Sequence, residues 1–438
     1  MSKEIYNRVK KNVILILGSR LVFGLLNVAT TVIITKFYGL KGLGVLLLLQ
    51  SYTWIFNVVL KYDTWQAVIT YGSKLREKKD DKAYQRLLGL LFSIDVISLT
   101  IGVLLAITFA PFAANIFEWP KQVTDFVPIF VLSIYFGANA TPIGVLRLHN
   151  KMKPIVAKFA IRSIVKFFGV IAAVAMGGNV FHLSVVWFLA VVLAGIWPIV
   201  ASLRILKASS LRPKFKLNLL KSSKEFPKLW RFLSFANASN FPGFIYRTGT
   251  TLFLGSTLGV ASAAIFEIAY QFASSIGRPI RLLGPIISPE FANLAAKNDW
   301  HTFSKILTKQ LKITGGLLLI FGIILMPILK PILEAMYGSK VIEDIWLFRF
   351  LLLFFILKVL SFTFEPAILS ANKSGTLLIV SSISALLYCL ITLSLIETAN
   401  VTATGIAAVI SQIIYVTVLI LIGKKLLKKR RRKHKKSP

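Results

Sequence analysis

The sequence predicts an all-α polytopic membrane protein, with twelve transmembrane helices in two six-helix parallel repeats around a central cationic cavity. Three observations carry that expectation. Of 438 residues, 56% are hydrophobic and only 16% are charged, with a mean hydropathy of +0.73; a soluble chain carries about 25% charged residues. Apolar runs of roughly 20 residues, the length that crosses a bilayer, recur from end to end. The Lys and Arg residues also collect on alternate sides of those runs. Short alternating segments of the β-barrel kind are not visible.

Taken in order, spans are expected near 12–37, 45–71, 87–110, 126–147, 155–176, 183–206, 232–254, 260–288, 307–329, 345–369, 376–396 and 401–423. Gly or Pro marks many junctions: Gly39 and Gly44, Pro154, Gly177 with Gly178, Gly259, Pro331, Gly375. The first run follows Lys3, Arg8, Lys10 and Lys11 and lacks a small-residue cleavage site, so it reads as a retained span. With both termini cytoplasmic, the cytoplasmic segments hold 37 of the 52 Lys and Arg, and the opposite side holds five. That asymmetry follows the positive-inside rule. Adding or deleting one span would invert every later loop and destroy it.

The organisation that follows is an N-terminal six-helix half, 1–206, and a basic cytoplasmic linker, 207–231. A C-terminal six-helix half, 232–423, and a basic cytoplasmic tail, 424–438, complete it. The tail suits anionic lipid headgroups; a nucleic-acid partner is disfavoured, because no folded reading module accompanies the charge. The halves repeat. A shift of 220 residues places Thr30-Thr31 on Thr250-Thr251, Gly39 on Gly259 and Val45 on Ile265; a shift of 222 places Asn150-Lys151 on Asn372-Lys373. Six spans per half means that both halves enter from the same side, and in such parallel repeats the substrate site lies between them.

Ten basic residues sit within the apolar runs: Arg20, Lys61, Lys158, Arg162, Lys166, Arg247, Arg278, Arg281, Arg349 and Lys358. Four acids sit at comparable depth: Asp63, Asp95, Glu267 and Glu365. A charge at membrane depth is costly and marks a wet cavity, a partner or a pathway, so this cationic bias points to an anion. Lys158, Arg162 and Lys166, spaced four apart, share one drifting stripe of the fifth span. Lys166 lies about 16 Å in from a helix start near Ile155, close to mid-membrane. Snorkelling to the interface is the competing reading, weakest for Lys166. Arg20 either lines the cavity or pairs with Asp95. Arg247 and Arg349 either snorkel outward or extend the cationic track. Arg278 and Arg281 stand in a Gly- and Pro-rich stretch that reads either as an interrupted helix bordering a cavity or as a kinked helix end at the headgroups. Lys61 and Lys358 fit a local charge network. The four acids are candidates to carry a coupling H⁺ or Na⁺; structural pairing with nearby arginines is the competing role, and Glu365-Pro366 is the best-placed coupling candidate.

No P-loop run is present, the four histidines have no metal-ligand spacing, and no nucleophile–base constellation stands out. A catalytic site, metal or cofactor is therefore not expected. The single Cys389 lies in an apolar run, which excludes an internal disulfide.

The stretch Leu17–Tyr52, LGSRLVFGLLNVATTVIITKFYGLKGLGVLLLLQSY, resembles the opening of bacterial polysaccharide exporters: a span, Gly39 and Gly44 five apart, then a second span. With the repeat and the Asn-Lys turns, the chain resembles an O-antigen (lipopolysaccharide repeat-unit) flippase of the multidrug/oligosaccharidyl-lipid/polysaccharide exporter superfamily. The resemblance implies transfer of an undecaprenyl-pyrophosphate-linked oligosaccharide from the inner to the outer leaflet of the bacterial inner membrane. It implies alternating access, ion coupling, and no enzymatic step. Membrane lipids and other polysaccharide assembly proteins are the further partners expected of a monomer. No family site residue has a motif sharp enough to transfer. Two rival readings remain: a multidrug exporter, which handles cations and favours an acidic cavity, and an O-antigen polymerase or ligase, which carries a large outer loop. The longest outer loops expected, 111–125 and 330–344, have about fifteen residues each.

Overall fold

The computed structural model describes residues 3–215, 225–281, 291, 294, 297, 299–370 and 374–434; secondary structure among them is helical, without a strand. Each expected apolar run is mainly helical where described, and three of them are interrupted. Five helical stretches among the described residues are long and apolar enough to cross a membrane, and a sixth if Lys121–Phe130 and Ser133–Leu148 form one span bent by 59°. The chain divides into two compact units, Met1–Phe244 with Thr251–Ala261, and Ile245–Thr250 with Ser262–Pro438.

In the first unit α1 (Lys3–Leu60) contains a break at Gly39, whose φ of 69° and ψ of 177° belong to a region glycine alone enters readily. It separates the first two expected spans. The second span is not continuous. Lys61, Tyr62 and Asp63 are unwound before α2 (Thr64–Glu77) begins. Broken backbone at membrane depth needs internal partners, and the side chains supply them. Asn237 Nδ2 donates to the Val59 carbonyl at 3.3 Å, and the Asp63 carboxylate accepts from Asn240 at 2.8 Å and Gln66 at 3.3 Å.

The long helix α3 (Asp81–Ile116) starts at Asp80, whose side chain accepts from the Ala83 amide. The fourth expected span is three pieces: α4 (Lys121–Phe130), α5 (Ser133–Ala138) and α6 (Ala140–Leu148). Pro128 and the left-handed Asn139 (φ 44°) interrupt it, and Asn139 Nδ2 donates to the carbonyls of Phe136 (2.8 Å) and Gly195 (3.0 Å). Then α7 (Lys153–Ala175) packs against both α1 and α8 (Val180–Ala208). Asn179 and His182 form a capping box at the start of α8.

The basic linker is not a loose tether where it is described. Leu211 and Phe226 enter the same buried cluster as Tyr84, Leu87 and Leu88 of α3. The Lys214 amide donates to the Gln85 carbonyl at 3.0 Å, Gln85 Nε2 to the Ser210 carbonyl at 2.8 Å, and Arg86 pairs with Glu225 at 2.7 Å. The seventh expected span is also broken, into Leu229–Ala238, Phe241–Phe244, a π-helical turn Ile245–Gly249 and Thr250–Thr257.

In the second unit, helix Ile345–Ser370 packs on Thr402–His434, which also packs on Ser374–Ala399; Trp300–Tyr337 lies against Ile345–Ser370. Phe291, Trp300, Phe303, Phe364, Ile368 and Leu419 form a buried cluster there. Helix Val260–Arg281 continues through Gly277 and Pro279, so the expected kink does not fall before Arg281; residues 282–290 lie outside those described.

Candidate functional site: buried cations and their partners

Charge on α7 is turned inward. Past its first turn the large exposed residues are the apolar Phe159, Ile164, Phe168 and Ile171, whereas Lys158 and Lys166 are 9% and 6% exposed. A cation facing acyl chains costs roughly 3 kcal/mol even on lenient scales, which explains the rotation of the helix. Lys158 Nζ donates to the Gly137 carbonyl at 3.0 Å, at the α5–α6 break. Arg162 and Lys61 lie close enough to Lys158 to act on it electrostatically. One turn further, Asn27 of α1 donates to Ser163 at 3.2 Å.

Lys166 stands over the Trp187 ring, Nζ 3.9 Å from its centroid, and donates to Gln50 Oε1 at 3.4 Å. Trp187 Nε1 donates to the same amide oxygen at 3.1 Å. A desolvated cation–π contact is worth about 2 kcal/mol. Lys158 thus meets a carbonyl, and Lys166 an amide and an indole. Gln50 and Trp187 carry no sequence signal that would tie them to Lys166; α1 and α8 had to be seen packed on α7.

Arg247 behaves differently. It pairs with Glu267, Nε to Oε1 at 2.9 Å with a second guanidinium contact to the same carboxylate, and lies 5.3 Å from the Tyr270 ring. Glu267 is buried and the Arg247 side chain is 46% exposed. Such bidentate geometry holds a structural pair, and it joins the π-helical turn to Val260–Arg281. Arg349 sits 4.8 Å over Trp346, itself exposed, the amphipathic arrangement of a helix end at a membrane interface.

Lys358 lies between 5.1 and 5.7 Å from the rings of Phe354, Tyr246 and Phe355. It acts electrostatically on Glu365, which accepts from Tyr415 at 3.2 Å. Tyr246 continues this polar core, meeting the Ser384 hydroxyl at 2.9 Å and donating to Ser411 at 3.0 Å. Asp95, buried in α3, accepts from the Thr64 hydroxyl at 2.8 Å and the Thr141 amide at 3.0 Å, and the Thr141 hydroxyl donates to Thr64 at 2.9 Å. Asp95 therefore ties the α1–α2 break to α6. The side chains of Arg20, Arg278 and Arg281 lie outside those described. Among the described residues no three His, Cys, Asp or Glu converge as a metal site.

A family model described as polysaccharide biosynthesis protein matches residues 9–289. The chain belongs to that family. An Escherichia coli (strain K12) relative, inner membrane protein YghQ, is 23% identical over 312 residues, 68% of this chain and 84% of the relative. The fold is shared with the lipid II flippase MurJ in its inward closed conformation: TM-score 0.73, 17% identity, 94% of this chain and 87% of that one. It is shared also with an inward-facing multidrug resistance MATE family transporter of the MOP superfamily, at TM-score 0.72 and 12% identity, with 97% of this chain and all of that chain covered. Membership of the polysaccharide biosynthesis protein family is thus joined in this chain to a fold that a lipid II flippase and a multidrug transporter share.

Proposed function

We propose that the protein carries an undecaprenyl-pyrophosphate-linked oligosaccharide, an O-antigen repeat unit, from the cytoplasmic to the periplasmic leaflet of a bacterial inner membrane by alternating access. The observation that carries the proposal is the inward stripe on α7. Lys158 and Lys166 are buried, with Arg162 between them on the same helix, and a stripe of three cations suits a diphosphate. Family membership, the likeness to a lipid II flippase and the inner-membrane relative support the same reading. A cytoplasmic position for both termini fits the charge asymmetry of the sequence. Glu365 and Asp95 are the acids best placed to take a coupling H⁺ or Na⁺, since Glu365 accepts from the Tyr415 hydroxyl and Asp95 from the Thr64 hydroxyl and the Thr141 amide.

Lys166→Ala and Arg162→Ala should each abolish surface O-antigen at normal protein levels, with lipid-linked repeat units accumulating on the inner leaflet. Full surface O-antigen in both variants would refute the roles given to them.

The fold likeness to a multidrug transporter favours a second reading, a cation-coupled drug exporter. The three cations of the α7 stripe argue against cationic drugs. Resistance to cationic dyes on overexpression, with surface polysaccharide unchanged on deletion, would select it.

A further inference from the structure

Helix Trp300–Tyr337 begins as an amphipathic segment. Trp300, Phe303 and Leu307 are buried in the core of the second unit, while His301, Lys305, Thr308, Lys309 and Lys312 are exposed. His301, Ser304, Lys305, Thr308, Lys309, Lys312 and Ile313 line a groove of about 660 Å³. The spacing 301, 305, 309, 312 keeps four basic groups on one face over about 16 Å. Asp299 accepts from the Thr302 amide as the helix cap, which holds its carboxyl below the usual carboxylate range.

That face does not end at Lys312. Ile313, Ile320, Ile324 and Ile328 are 53%, 56%, 53% and 43% exposed, and steps of seven and four continue the Lys305–Lys309 line. The apolar part runs about 22 Å. One helix face therefore offers a polycationic groove followed by an uncovered hydrocarbon track. The basic end is the one expected to be cytoplasmic, and Lys424 and Lys425 follow Leu419, which packs in the same cluster as Phe303.

We infer that this face is a docking site for a prenyl diphosphate. The diphosphate lies among His301, Lys305, Lys309 and Lys312, with the Ser304 hydroxyl beside it, and the prenyl chain lies along Ile313–Ile328. Three lysine charges, with His301 beside them, exceed what the single charge of an ordinary phosphodiester headgroup would satisfy, so charge complementarity favours the diphosphate. The inference rests on the flippase reading and adds a recruitment site for its substrate outside the α7 stripe.

The test is equilibrium binding by the purified full-length protein in nanodiscs, with undecaprenyl diphosphate, cardiolipin and inorganic pyrophosphate as separate probes. The proteins compared are the unaltered chain, Lys305→Gln/Lys309→Gln and Lys166→Ala. At about fivefold per surface lysine, the double variant should bind undecaprenyl diphosphate roughly 30-fold more weakly. Cardiolipin and pyrophosphate should compete poorly with the unaltered chain. Equal affinity in the double variant, with Lys166→Ala alone weakened, overturns the docking face and leaves the flippase reading standing. Cardiolipin binding as tight as prenyl diphosphate overturns it as well, in favour of an ordinary lipid contact. No undecaprenyl diphosphate binding by the unaltered chain removes both readings.

Discussion

At the scale of single residues, the interior charges separate into those matched by opposite charge and those held by dipoles. Glu267 matches Arg247. Lys166 is held by Gln50 and the Trp187 ring, and Lys158 by a carbonyl. The first arrangement stabilises a fold by opposite charge; the second orients a cation by dipoles and an aromatic face. A third residue, His149, is a pH-sensitive weak point of another kind. It closes α6 outside the apolar core, with Nε2 buried and without a hydrogen-bond partner among the described residues. Burial, then the charges of Arg76 and Lys151, hold its pKa below the usual 6.5. A depressed histidine contributes stability that is present above the unfolded-state pKa and is lost as pH falls through the folded one. The melting temperature should therefore decline below about pH 6.5, and His149→Asn should flatten that decline by about 2 °C between pH 7 and 5. A decline identical in the variant would assign the acid sensitivity elsewhere.

At the scale of elements, three expected spans are broken: at Lys61–Asp63, at Phe130–Ala140 and across Leu229–Thr257. The breaks are tied to neighbouring helices by side chains of modest polarity, Asn139, Asn237, Asn240, Thr64 and Thr141. Hydropathy averaged over a window passes over such interruptions, because one Asn or Asp barely lowers the mean of twenty apolar residues. The strapped linker is a second feature of this scale. Gly89 of α3 sits directly under the Lys214 carbonyl, and an added Cβ would collide with it. Gly89→Ala should lift the strap at a cost of about 1–3 kcal/mol, read as faster tryptic cleavage after Lys214 and Lys228. An unchanged cleavage pattern would show that the linker is not held by α3.

At the scale of the whole molecule, the charge asymmetry predicts where each end of each helix lies. Alkaline phosphatase fused after Lys121 or Lys340 should be active, and a green fluorescent protein at the C-terminus should fluoresce, because the basic tail stays in the cytoplasm. An active phosphatase fused after Lys82 would invert the topology. It would also remove the cytoplasmic entry on which both the α7 stripe and the Trp300–Tyr337 face depend.

The helical membrane class and the positions of the apolar runs were legible in the sequence, as was the presence of charges within those runs. Each is a one-dimensional property: hydropathy needs only a run of residues, and a charge within such a run must be compensated wherever the helix goes. The fate of each charge was decided in three dimensions. Arg247 and Glu267 are twenty residues apart on different helices, Lys166 and Gln50 are 116 apart, and Asp95 meets Thr64 and Thr141 through two helix breaks. Rotation of a helix about its axis and the exact place of a break select these partners. Both are set by packing between segments distant in the chain, and so only the tertiary structure could tell a cation paired with a carboxylate from one set against an amide and an indole.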